Sequence, residues 1–277
     1  MIVKQLQIIF NESICTGKIP DSFKVAKVIP LYKKDENDLF SNYRPVSVLP
    51  IFSKILERLV FNRCMSYLDH HRILYKRQYG FRKKHSTYMA VIDLVNKITE
   101  AVDNDKFTAG VFLDLSKAFD TIDHTILLDK LYHYGFRGIT HKWFEDYLSN
   151  RKQYVYYNGV PSQQQNLTCG VPQGSILGPL LFIIYVNDIH LITDSLDVIS
   201  FADDTNLFYS HNQFNVIEEV FNKELVNVNR WFQVNKLSVN AKKSNYMVPR
   251  RTQNQSTICN CFLILTVRTP LEKSAKH

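Results

Sequence analysis

The sequence predicts an α+β fold in which an open sheet is covered by helices on one face. Three observations predict it. Short apolar runs of strand length alternate with longer helix-like segments along the chain. Apolar residues make up 45% and charged residues 22% of the 277 positions, enough to bury a core and too little charge for a disordered, collagen-like or low-complexity chain. No internal repeat or flexible linker interrupts the order, so one large domain or two modest ones are expected.

The elements follow in turn. Met1 to about Cys15 reads as helical, without an N-cap. Lys24 to Tyr32 (KVAKVIPLY) reads as a strand that Pro30 confines to a sheet edge, and Asp35 to Arg44 as loop. Ile51 to Leu68 is helical, with Ile51, Ile55, Leu59 and Leu68 on one stripe and Phe52 and Leu56 beside it. A second helix opens at Ser86 and runs to about Val102, with Met89, Ile92, Val95 and Ile98 on one face. Ala109 to Leu115 (AGVFLDL) is a short, nearly continuous apolar strand. Asp123 caps a helix that Gly135 ends, and another covers about His141 to Leu148. Gln153 to Tyr157, followed by Asn158-Gly159, signals a hairpin. Ser175 opens an apolar helix ending near Asp188. Val198 to Tyr209 reads as two strands joined at paired aspartates, Phe214 to Phe232 as a long amphipathic helix, and Leu237–Val239 and Tyr246–Val248 as strand-like.

Several functional classes drop out early. The longest strongly apolar run, Ile176 to Val186, falls short of the roughly 18 residues a membrane span needs. The start, MIVKQLQIIFNES, lacks the pattern of a secretory signal. Cys15, Cys64, Cys169, Cys259 and Cys261 are an odd, scattered set that suits a reducing compartment, so a soluble intracellular chain is expected. The formal net charge of +8 is unevenly spread: 18 basic and 11 acidic side chains over residues 1–107, 11 and 14 over 108–248, and 5 and 1 over 249–277. Basic flanks around a mildly acidic middle suit a polyanion held beside an acidic site.

Three aspartates sit where acids are expensive. Asp114 lies within VFLDL, and Asp203 and Asp204 interrupt ISFADDTNLF. Ordinary turn residues are the plain alternative, although a turn asks for Asn-Gly or Asp-Gly rather than two adjacent acids. If the strands lie side by side the carboxylates converge, and two like charges ~4 Å apart repel by about 4 kcal/mol at an effective dielectric near 20. Such a cluster needs a cation, and all-carboxylate ligation suits Mg²⁺ or Mn²⁺ rather than zinc. Two ions ~3.5–4 Å apart would support in-line phosphoryl displacement.

Other constellations point to anions. Arg72 to Lys84 (RILYKRQYGFRKK) holds six cations and no acid, with Tyr75, Tyr79 and Phe81 between them, a pattern that suits phosphate neutralisation and base stacking or else a solvated basic face. Lys33-Lys34, with Arg44 ten or eleven residues on, are positioned to meet a triphosphate or else are ordinary surface residues. Gly170 to Pro179 (GVPQGSILGP) lets backbone approach a ligand ahead of a helix N-terminus, and matches neither the P-loop nor the dinucleotide fingerprint.

In this order the segments VAKVIPLYKK, NYRPVSVLPIFSKILERLV, QYGFRKKHST, VFLDLSKAFDTIDH, GVPQGSILGPLLFIIYVNDI, ISFADDTNLF and NKLSVNAKKSNYM resemble the reverse transcriptases of non-LTR (LINE-like, jockey-type) retrotransposons, over roughly residues 19–248. The resemblance implies a right-hand polymerase whose palm carries an open antiparallel sheet backed by helices, with fingers over 1–107, palm over 108–248, and a truncated tail, 249–277, before a missing thumb. It implies metal-binding and catalytic roles for Asp114, Asp203 and Asp204, two Mg²⁺ ions with Mn²⁺ as the alternative, and a pyrophosphate-protonating role for Lys243, with Lys242 a near alternative. Lys33 (or Lys34), Arg44, Phe119, Gln173 and Gly174 fall where the family meets the incoming nucleotide, Phe119 as a steric gate. Arg82 resembles a template contact, flanked by Lys76, Arg77, Lys83 and Lys84 as further nucleic-acid-binding residues. The implied partners are an RNA template, a DNA primer and dNTPs, with no membrane, an upstream endonuclease in the full-length element, and work in the nucleus. After Met247 the family's primer grip and thumb find no match, so a truncated copy is expected. A catalytically inactive nucleic-acid-binding remnant is the alternative function. A nucleotide cyclase ranks last, since it leaves Arg72–Lys84 and Gln173-Gly174 without a task.

Overall fold

The structure, a computed structural model, describes residues 2–247, in which two units are distinguished. The first comprises the chain up to Tyr75, Lys117–Asn187 and Asn235–Leu237; the second comprises Lys76–Ser116, Asp188–Val234 and the described residues from Ser238 on. The expected tail, 249–277, with Cys259 and Cys261, lies outside the described residues. Among those described, no helix is long and apolar enough to cross a membrane.

The first unit combines helices with a mixed sheet. Its elements are α1 (Ile2–Thr16), β1 (Val25–Tyr32), β2 (Tyr43–Val48), α2 (Ile51–His70), α4 (His124–His133), α5 (Ile139–Leu148), β4 (Lys152–Tyr157), β5 (Val160–Pro161), β6 (Gln165–Asn166) and α6 (Leu177–Tyr185). The sheet runs β2-β1-β4-β5, with β6 also on β4. Strand β1 is therefore not an edge: Val25–Val28 pair parallel with Lys152–Val155 while Lys27–Tyr32 pair antiparallel with β2. Pro30 is tolerated because it lies beyond the reach of β4 and faces Pro45, so the two missing donors coincide at one point of the ladder. Strand β2 itself has no sequence forerunner, since Pro45 interrupts its run. Helix α6 (LGPLLFIIY) is apolar all round and buried along its length, against α2 and α4. Asp123 caps α4 by accepting the Ile126 amide at 3.1 Å. Asn158 and Gly159, both at positive φ, turn β4 into β5.

The second unit is a four-stranded antiparallel sheet in the order β7-β8-β3-β9, built from β3 (Phe107–Leu113), β7 (Asp197–Phe201), β8 (Asp204–His211) and β9 (Asn245–Met247). Helices α3 (Thr87–Asp103) and α7 (Phe214–Val234) pack on it. Ala90, Ile199 and Phe208 form a core cluster with Tyr79, Leu94 and Phe112 against it.

Two helices turn a different face inward from the one their stripes suggest. In α2, Ile51, Ile55 and Leu59 are exposed while Leu56, Glu57, Cys64, Met65 and Leu68 are buried. In α3, Met89, Ile92 and Val95 are exposed and Ala90 and Ala101 are buried. Both helices carry more than one apolar stripe. In α3 the small alanines win because they let the helix lie close to the sheet, and they bring Lys97 of the same face to Asp197 at 2.6 Å.

Candidate active site

The register of β3 and β8 brings the acids together within the second unit. Leu113, the last residue of β3, pairs with Thr205, so Asp114 immediately after the strand comes beside Asp204, the first residue of β8. Phe201 pairs with Asp204 and leaves Ala202-Asp203 as a two-residue hairpin turn, with Ala202 in the left-handed region at φ 56°. The Asp204 carboxyl is held above its ordinary range, first by lost hydration and then by the charges of Asp203 and Asp114, against a lowering pull from Lys243.

A crossing segment fixes the other side. The Asp114 amide donates to Ser244 Oγ at 3.2 Å, the Asn240 amide donates to the Asp114 carbonyl at 2.8 Å, and Leu115 bridges Val239. Lys243 thereby stands with Nζ 3.4 Å from Asp114 Oδ2, an oxygen that is buried without a hydrogen bond. Lys242 is exposed on the same turn. The unit thus gathers Asp114, Asp203, Asp204 and Lys243. Among the described residues no group of three or more Asp, Glu, His or Cys side chains is placed to hold a metal ion. The aspartates are neighbours by register and by charge rather than a preformed cage.

The basic segment of this unit divides in two. Lys76, Lys83 and Lys84 are exposed. Arg77 is engaged by Asp197 at 2.6 Å and Asp93 at 3.3 Å, which ties the segment to β7 and α3. Arg82 donates from Nη1 to the Gln78 carbonyl at 3.4 Å.

The first unit arranges the remaining candidates around the loop before α6. The Ser47 amide of β2 donates to the Gln173 carbonyl at 2.6 Å. Gly174, at φ 127°, lies so close to the Ser47 carbonyl that a methyl group would collide with it. Gln173 Nε2 donates to Asp120 Oδ1 at 3.0 Å, and the Val171 amide donates to the Phe119 carbonyl at 2.9 Å. The Phe119 ring stacks on Phe182, centroids 4.9 Å apart. Arg44 is exposed on β2 opposite Leu31, and Lys33 follows β1 with its amide donating to the Asn42 carbonyl. Lys34 lies 3.9 Å from the Asp35 carboxylate.

Three supporting residues escaped the sequence reading. Glu57, buried, accepts the Ile176 amide at 2.6 Å, the Leu177 amide at 3.3 Å and the Tyr147 hydroxyl at 3.0 Å, acting from α2 as a remote cap on α6. Burial pushes its carboxyl pKa up, against those hydrogen bonds and the charge of Arg151. Asp120 orients the Gln173 amide, and Gln78 is buried against the hairpin turn. A lone acid in the otherwise apolar and basic run KILERLV was a visible signal for Glu57. Nothing local marked Gln78.

Residues 31–265 match the family model for reverse transcriptase (RNA-dependent DNA polymerase). The chain is 32% identical over 257 residues to the RNA-directed DNA polymerase from mobile element jockey of Drosophila melanogaster, covering 89% of this chain and 28% of that protein. It is 30% identical over 281 residues to the probable RNA-directed DNA polymerase from transposon BS of the same fly, covering 96% and 29%. The chain thus spans under a third of the length of these curated relatives. Apo telomerase from Candida tropicalis, truncated from its C-terminal domain, superposes with a TM-score of 0.59 at 12% identity over 85% of this chain and 52% of that one, a likeness of fold alone and one that fits polymerase fingers and palm. With a family match over most of its length and relatives of this kind, the chain belongs to the reverse transcriptase family, on its non-LTR retrotransposon branch.

Proposed function

We propose that this chain is the catalytic region of an RNA-directed DNA polymerase that adds dNTPs to a primer 3′-hydroxyl on an RNA template. The observation that carries the reading is the β3–β8 register, which sets Asp114 beside Asp203-Asp204 and leaves Asp204 with a raised pKa. Residues 1–107 would serve as fingers and 108–248 as palm.

The donor chemistry of these residues suits a hard divalent cation, although they are not gathered into a metal-holding group in this structure. The donors are all carboxylate oxygens, and Asp114 Oδ2 is buried with no hydrogen bond. Asp114, Asp203 and Asp204 would hold Mg²⁺, two ions by family resemblance or Mn²⁺ in their place, whose chemistry when bound is to acidify the attacking hydroxyl and balance charge on departing pyrophosphate. Lys243 Nζ would give a proton to that leaving group. Lys33 and Arg44 would neutralise the triphosphate, and Gln173 and Gly174 would lie against the nucleotide and template. The Phe119 ring, fixed by its stack on Phe182, would exclude a ribose 2′-hydroxyl. Lys76, Arg82, Lys83 and Lys84 would meet phosphates, whereas Arg77 is committed to Asp197 and Asp93, and the duplex would be gripped by shape rather than sequence. The full-length element is expected to carry an upstream endonuclease and to act in the nucleus.

The test is extension of oligo(dT) on poly(rA) with Mg²⁺ or Mn²⁺ by the purified chain. Incorporation that Asp203→Ala abolishes supports the reading; substantial extension by that variant refutes the assigned role. Salt-sensitive RNA binding without incorporation under either metal would favour the non-catalytic remnant instead.

A further inference from the structure

The segment Arg77–Gly80 runs directly beneath the hairpin turn that carries Asp203. Gln78 pairs with Ser200 in a parallel bridge, framed by the Tyr79 amide donating to the Ser200 carbonyl at 2.8 Å and the Ser200 amide donating to the Arg77 carbonyl at 3.0 Å. Gln78 is 4% exposed, and its side chain turns toward Ala202. Its Oε1 accepts the Ala202 amide at 3.0 Å and the Gly80 amide at 2.8 Å, and its Nε2 reaches the Ala202 carbonyl at 3.5 Å. One side-chain amide thus meets both polar backbone groups of a single residue, as a neighbouring strand would.

Ala202 needs such a partner. It is a non-glycine residue at φ 56°, a conformation that costs roughly 1–2 kcal/mol. It is buried, so an unmet amide there would carry a desolvation cost as well. Gly80 completes the clamp, because a methyl group at that position would collide with the Ala202 backbone nitrogen. The residue after Ala202 is Asp203, whose direction follows from the backbone that Gln78 holds.

We infer that Gln78 is a positioning residue for the aspartate turn: its amide locks Ala202 in the left-handed conformation and so fixes the direction of Asp203 and Asp204. The same residue offers its carbonyl to Arg82, 3.4 Å away, so the basic segment and the acidic turn share one anchor. The inference rests on the polymerase reading for its consequence in turnover, but its structural half is measurable without turnover.

The experiment uses Gln78→Ala and Gln78→Met in the full chain. The methionine keeps length and volume while removing both hydrogen-bonding ends, so it holds the fold should the alanine variant collapse. Amide exchange at Ala202 is expected to quicken by about tenfold or more while amides of the β3–β8 ladder keep their wild-type rates. Primer extension is expected to lose about tenfold or more in kcat with the KM for dNTP within about twofold, the pattern of misplaced catalytic groups rather than weakened binding. Wild-type exchange at Ala202 in Gln78→Met, exchange raised equally across the sheet, or an unchanged kcat would each overturn the inference. A wild-type chain that extends no primer counts against the polymerase reading alone, because Ala202 exchange is read independently of it.

Discussion

Lys243 Nζ stands 3.4 Å from Asp114 Oδ2, and the backbone on both sides holds it there: Asn240 donates to the Asp114 carbonyl, and Asp114 donates to Ser244. Lys242 has no such relationship to Asp114, which separates two lysines that sequence alone left interchangeable. If Lys243 protonates the leaving group, Lys243→Ala lowers the single-turnover extension rate by roughly 10²-fold, within the usual range for general acid catalysis, while Lys242→Ala stays near wild type. Equal losses in the two variants would mean that the turn contributes only positive charge.

Glu57 governs the loop of the first unit from beneath. Its carboxylate holds two amides at the start of α6 and the Tyr147 hydroxyl, with the fully buried Arg151 as counter-charge. Glu57→Ala would orphan those donors and leave the Arg151 guanidinium in the interior, a loss of about 3 kcal/mol in a denaturation midpoint experiment. Glu57→Gln keeps the acceptor and the shape and should fall between the alanine variant and wild type. An alanine variant as stable as wild type would show that water takes over the cap.

Much of this was legible in the sequence, for identifiable reasons. Asp114, Asp203 and Asp204 stood out because acids in half-buried strands are costly, and the β-ladder then did what strand periodicity implies. Ser86 and Asp123 capped the helices they were expected to cap. The inward faces of α2 and α3 were not legible, because apolar periodicity is degenerate when a helix carries two stripes. Nor was Gln78, whose partner Ala202 is distant in sequence and whose task depends on a φ value that composition does not reveal.

Asp197 links three elements of the second unit, receiving Lys97 from α3 and Arg77 from the segment before it, each at 2.6 Å. Partial burial raises its pKa, but the hydrogen bonds and charges of Lys97 and Arg77 outweigh that and leave it below the ordinary value. A depressed carboxyl contributes stability above its unfolded pKa and loses it as pH falls through the lower folded pKa. Asp197→Asn should therefore cost about 1 kcal/mol at neutral pH, a solvent-screened figure for a half-exposed site, and little once the acid is protonated. Melting curves of both chains from pH 7 down to about 3 check this: they should converge in acid, given the carboxylate reference range. A constant gap across that range would assign the loss to packing.

Gly174 is a position where the loop before α6 tolerates no side chain. Its φ of 127° lies outside what L residues readily adopt, and a Cβ would meet the Ser47 carbonyl of β2 head-on. Ser47 also donates to the Gln173 carbonyl, so displacing one contact displaces the other. Gln173 would then lose its register with Asp120, and with it the orientation of the amide proposed to face the nucleotide. Gly174→Ala should raise the KM for dNTP about tenfold or more, as expected for a misplaced binding group, with the overall melting temperature lowered by a few degrees. Asp120→Asn supplies the complementary measurement, since it keeps an oxygen for Gln173 Nε2 and leaves the backbone undisturbed; its KM should remain within about threefold of wild type. Were Gly174→Ala to extend primers with an unaltered KM, the loop would have relaxed away from Ser47, and Gln173 would hold no fixed place against the nucleotide.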